Sequence, residues 1–93
     1  MTKRERLYQR VRNNQHNVRF ADFCTLLVYF GFQLVRTRGS HHLYQHPDLD
    51  EVMNIQPTGD NLAKAYQVRQ FLKLVEAHHL SLARGAEEEP DGE

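Results

Sequence analysis

A chain of 93 residues buries enough surface for one modest core and too little for two, so a single domain is expected. Its hydrophobic content of 40% falls in short separate runs, none near the roughly 20 apolar residues a membrane span needs; MTKRERLYQRVR has charge but not the apolar stretch of a signal peptide, and a cytoplasmic protein is expected. Twelve basic and twelve acidic residues give zero formal charge, but Glu87, Glu88, Glu89, Asp91 and Glu93 crowd the tail, so residues 1–86 carry a net +5; this suits an anionic partner such as nucleic acid, although a solvated basic surface gives the same count.

The first element is a short helix from about Arg4 to Arg12, with Leu7 and Val11 four apart among arginines, broken by Asn13-Asn14-Gln15. Alone it is marginal, so Leu7, Tyr8 and Val11 are expected to rest on the main domain. In FADFCTLLVYF, Phe20, Phe23, Cys24, Leu27 and Val28 follow helical spacing, and Gly31 supplies a stop. The single cysteine, Cys24, cannot make an internal disulfide; inside this apolar pattern it reads as a buried thiol and not a nucleophile.

Phe32 to Thr37 changes to a strand-like pattern ended by Gly39-Ser40. His42 to Gln45 is a second strand, stopped by His46-Pro47-Asp48 because proline lacks a ladder donor and restricts its predecessor. Val52 to Gln56 is a third, ended by Pro57-Thr58-Gly59-Asp60. Short connections favour antiparallel pairing, since parallel neighbours need long crossovers. A last helix runs from Ala63 or Lys64 to His78, with Ala65, Val68, Leu72 and Val75 as its buried stripe and Phe71 or Leu74 widening it. The expected class is α+β, a three-stranded sheet covered by amphipathic helices, with an N-terminal extension at 1–17, the domain at 18–83 and a disordered acidic tail at 84–93.

RGSHHLY carries the candidate chemistry. Along an extended strand His41 and His42 point to opposite sides, so at most one faces a given site. Imidazole can accept a proton from an attacking hydroxyl or return one to a departing oxygen near neutral pH. From the residues alone the pair reads first as turn, core or surface histidines, then as acid–base groups, and last as metal ligands with His46, Asp48 and Asp50. Structural zinc is not expected, since no paired-cysteine motif accompanies Cys24. His16, His78 and His79 read as surface or helix-end residues, and Ser40 lacks the surroundings of a nucleophile elbow.

In order, GFQLVRTRGSHHLYQHP and NIQPTGDNLAKAYQVRQFLKLVEAHHL, preceded by FADFCTLLVYF, resemble the HicA-type toxins of bacterial type II toxin–antitoxin systems over roughly residues 18–82. The resemblance implies an α-β-β-β-α core related to the double-stranded-RNA-binding domain, with an additional N-terminal helix. It implies an endoribonuclease acting on messenger RNA and neutralised by a HicB-type antitoxin. Its functional histidine falls on His42, with Gly39 and Ser40 at the motif's turn. Arg36, Arg38 and Lys64 are the expected phosphate contacts, with neither metal nor cofactor. The chain departs from the pattern in its N-terminal extension, which the shortest members lack, and in a single lysine, Lys64, where many members carry several. A noncatalytic RNA-binding module on the same scaffold is the competing reading, with His42 then structural.

Overall fold

The computed structural model describes residues 2–82; the tail expected from residue 84 lies outside the described residues. Helix α1, Lys3–Asn13, starts on a reciprocal cap. The Thr2 hydroxyl accepts the Glu5 N–H at 3.1 Å and the Glu5 carboxylate accepts the Thr2 N–H at 2.9 Å, satisfying two donors that a helix start leaves unpaired. Leu7 and Val11 are buried, Tyr8 meets Phe30 edge to face at 4.9 Å, and the Arg4 guanidinium lies 4.7 Å from the centroid of the Tyr29 ring. The extension is therefore built into the core, and this packing supplies the stability that so short a helix lacks alone.

Helix α2, Phe20–Tyr29, buries Phe23, Leu26 and Leu27. Spacing alone places Val28 in that stripe, but Val28 is 53% exposed. A helix apolar on several sides offers more than one stripe of period 3.6, and here the set at 23, 26, 27 and 30 faces inward. The helix ends as a Schellman motif: the Phe32 N–H reaches the Leu27 carbonyl and the Gly31 N–H that of Val28, with Gly31 at φ +97°. A side chain at Gly31 would also meet the buried His46 ring at 3.0 Å. His46 itself packs edge to face on Phe32 at 5.2 Å, and its Nδ1 accepts the Asp48 N–H at 3.0 Å.

Strands β1 (Gln33–Arg38), β2 (His41–Gln45) and β3 (Val52–Ile55) form an antiparallel sheet in that order. Arg38 pairs with His41 across the two-residue loop Gly39-Ser40, and Gly39 has φ +59°, the tight hairpin in which glycine takes the first central place. The register shifts between Leu34 and Arg36, a bulge at Val35. One face of the sheet presents Tyr44, Met53 and Ile55 to the core, and the other is open to solvent.

Helix α3, Ala65–Ala77, covers that inner face with Val68, Phe71 and Val75. Phe71 is the hub: its ring meets Phe30 at 5.4 Å, Phe23 at 5.8 Å and Phe32 at 6.0 Å, all edge to face. Ala65 and Leu72, expected in the stripe, are only half-buried, whereas the polar Gln67 is buried. Its amide accepts the Gln56 N–H and donates to the Asn54 carbonyl, both at 3.2 Å. It thereby satisfies backbone groups on the outer edge of β3 that no neighbouring strand pairs. The order α1-α2-β1-β2-β3-α3 is a double-stranded-RNA-binding-domain-like α-β-β-β-α core with one helix added in front. Among the described residues no helix is long and apolar enough to cross a membrane.

Candidate active site

The hairpin sends its two histidines to different faces. His42 pairs with Thr37 on one side and Ile55 on the other; directly paired residues share a face, so His42 lies on the helix side of the sheet, at its rim and half-buried. Its ring stands edge to face against Phe20, the first residue of α2, at 5.0 Å and 65°. Its Nδ1 is 3.0 Å from the carbonyl oxygen of Ser40. A carbonyl oxygen only accepts, so Nδ1 carries the hydrogen and donates it; in the neutral ring the lone pair is then on Nε2.

His41 is exposed on the outer face, its Nδ1 3.3 Å from Oδ1 of Asn54. Arg36 and Arg38 pair with Leu43 and His41 and share that outer face. Two of the expected phosphate contacts therefore point away from His42, although their backbone is in the neighbouring strand. Gly39 and Ser40 stand directly before the histidines, Ser40 bonding His42 through its carbonyl. Lys64 occupies the N-cap of α3 in extended conformation, at the end of the connection that follows β3.

That connection is what positions Phe20. The Thr58 hydroxyl accepts from Asp60 N–H at 3.2 Å and Leu62 N–H at 3.1 Å, and Asn61 turns at φ +64°. The Asn61 carbonyl then takes the Phe20 N–H at 3.0 Å, and the Val18 carbonyl takes the Ala63 N–H at 2.7 Å. With the bridges Arg19 to Leu62 and Pro57 to Ala63, the loop stitches the start of α2 to the end of β3. Spacing in the sequence hides this pairing, because residues 18–20 and 61–63 meet only in the folded chain. Arg19 is the functional candidate it reveals: an exposed cation next in the chain to the residue that supports His42.

Beneath this face lie a thiol and a phenol in contact. Burial pushes the Cys24 thiol up, outweighing the opposing hydrogen bond with Tyr44, and burial together with Cys24 pushes the Tyr44 hydroxyl up as well. Cys24 is half-buried and unpaired with another cysteine, and a thiol held protonated is a poor nucleophile. Among the described residues no three His, Cys, Asp or Glu side chains converge as a metal site. His46 is instead engaged with Phe32 and the Asp48 backbone.

Residues 20–76 match the family model described as HicA toxin of bacterial toxin-antitoxin. The match begins at the residue that holds His42 and takes in the whole sheet with nearly all of α3; α1 and the segment after it lie ahead of it. No curated protein and no solved structure matches the chain.

Proposed function

This chain belongs to the HicA toxin family of bacterial toxin–antitoxin systems, and on that premise we propose that it is a metal-independent endoribonuclease that cuts messenger RNA, with His42 as its acid–base group, and that a HicB-type antitoxin silences it. The observation that supports the histidine's part is the bond from Nδ1 to the Ser40 carbonyl. It fixes the ring and, in its neutral form, leaves the lone pair on Nε2, the nitrogen a general base would use.

RNA brings its own nucleophile. Nε2 takes the proton of the 2′-hydroxyl, the 2′-oxygen bonds to the adjacent phosphorus, and the bond from phosphorus to the 5′-oxygen breaks. The products are a 2′,3′-cyclic phosphate and a 5′-hydroxyl, the latter taking up a proton from the protonated ring or from water. Neither proton movement calls for a metal. Charge gathering on the phosphorane is met by donors at the Gly39-Ser40 turn and by the flanking cations. Lys64 holds backbone on the helix side, while Arg36 and Arg38, on the outer face, hold strand that has passed the rim. The antitoxin acts by covering the rim where His42 lies.

The test is RNA cleavage by purified protein in chelator, wild type against His42→Ala, with RNA binding measured alongside. Loss of cutting with retained fold and binding is expected. Equal cleavage by both proteins overturns the assignment, and binding without cleavage by either makes the chain a noncatalytic RNA-binding module.

A further inference from the structure

Where α1 and the segment after it meet the start of α2 and Leu62, an open cavity of about 560 Å³ is lined by Arg10, Val11, Asn14, Asn17, Val18, Arg19, Asp22 and Leu62. That is within the range of small-molecule sites, roughly 300–1,000 Å³. We propose that this cavity is a subsite for one unpaired nucleotide flanking the scissile bond, and that Asn14 and Asn17 read its base while Arg19 holds its phosphate. The proposal rests on the ribonuclease reading above and adds to it the site that selects where the RNA is cut.

Three observations carry it. The cavity's rim is shared with the support of His42: Arg19 and Leu62, which bridge each other, are the chain neighbours of Phe20, which packs on His42, and of Asn61, which anchors Phe20. The cavity thus shares the Arg19–Leu62 bridge with the backbone that carries Phe20 against His42. The charges are also arranged for one phosphate. Arg10 is paired with Asp22 at 3.3 Å, which leaves Arg19 as the lining cation without an ion pair among the described residues.

The third observation is the lining itself. Val11, Val18 and Leu62 give apolar surface for the face of a base, and Asn14 and Asn17 set two amides beside it. Among the described residues neither side-chain amide is engaged in a hydrogen bond. An amide presents a donor next to an acceptor, the pattern that reads base edges, and single-stranded RNA is recognised by such contacts to splayed-out bases.

The experiment sequences the products cut from an RNA pool with randomised positions, using wild type, Asn14→Ala/Asn17→Ala and Arg19→Ala, each checked by thermal melting. A second arm measures binding of an uncleavable 2′-O-methyl oligonucleotide. Wild type should prefer one base at a fixed position beside the cut, the double variant should flatten that preference about fivefold or more, and Arg19→Ala should raise KM about tenfold with little change in kcat. An unchanged base profile and unchanged KM overturn the subsite while leaving the ribonuclease reading intact. If no protein, wild type included, cuts RNA but the pocket substitutions still weaken oligonucleotide binding about fivefold, the cavity stands as a nucleotide-binding site while its place beside a scissile bond and the ribonuclease reading both fall; absence of both effects removes all three.

Discussion

The two faces of the sheet treat neighbouring histidines of the same hairpin in opposite ways. On the inner face, His42 is clamped by an aromatic ring and by a backbone carbonyl, above a core in which a thiol and a phenol are held protonated. On the outer face His41 stands exposed with one amide partner, among arginines and in contact with solvent. Acid–base work needs a ring with one fixed orientation and one free nitrogen, and binding a long polyanion needs accessible charge. On the proposed reading the hairpin would separate these duties by strand alternation alone, so that the face a residue reaches counts for more than its type.

The strongest challenge to this contrast is to remove each histidine in turn. His42→Ala is expected to slow single-turnover RNA cleavage at least about 100-fold, the usual worth of a positioned proton carrier, whereas His41→Ala should change it less than about twofold. Comparable losses would erase the distinction between the faces. Next in size is Phe20→Ala, which takes away the ring that orients His42; cleavage should fall about tenfold, since loss of positioning alone can cost up to about 100-fold, and nuclear magnetic resonance of His42 should reveal a mobile ring. Arg36→Ala or Arg38→Ala should weaken RNA binding a few-fold, lower the slope of log affinity against log salt by about one, and leave the saturated cleavage rate in place.

The smallest effect concerns the interior. Because the folded Cys24 thiol lies above its ordinary value, alkylation at about pH 8.5 should be slower in the native protein than in the urea-unfolded chain, and should catch up as pH rises through the raised value. The same sign makes this group's contribution to stability full below the ordinary thiol pKa and lost at alkaline pH, so the melting temperature should begin to fall there. Equal alkylation rates in native and unfolded chains would contradict a water-poor inner face.

Most of the fold is legible in the order of hydrophobic patterns, and so is the divergence of His41 and His42, because alternation along a strand is a local rule. The choice of helix face is not local. In α2 the spacing admits Val28 as readily as Leu26, and only the packing of α1, β2 and α3 decides. In α3 a polar residue at 67 reads as surface until β3 supplies the two backbone groups it bonds. Within the candidate site, Gly39, Ser40 and His42 follow from a contiguous motif, whereas Phe20 and Arg19 depend on pairing between residues some forty positions apart. The outward orientation of Arg36 and Arg38 follows once the bulge at Val35 sets their register.

Gln67 has a further consequence for the molecule's associations. Its amide stands where the backbone of a fourth strand would run, so β3 cannot take on another chain without breaking both bonds, while β1, exposed along its length with apolar Leu34 and Val35 in it, is broken by its bulge and carries two arginines. Each edge of the sheet thus has its own obstacle to a further strand: a side-chain amide on one side, a bulge and positive charge on the other.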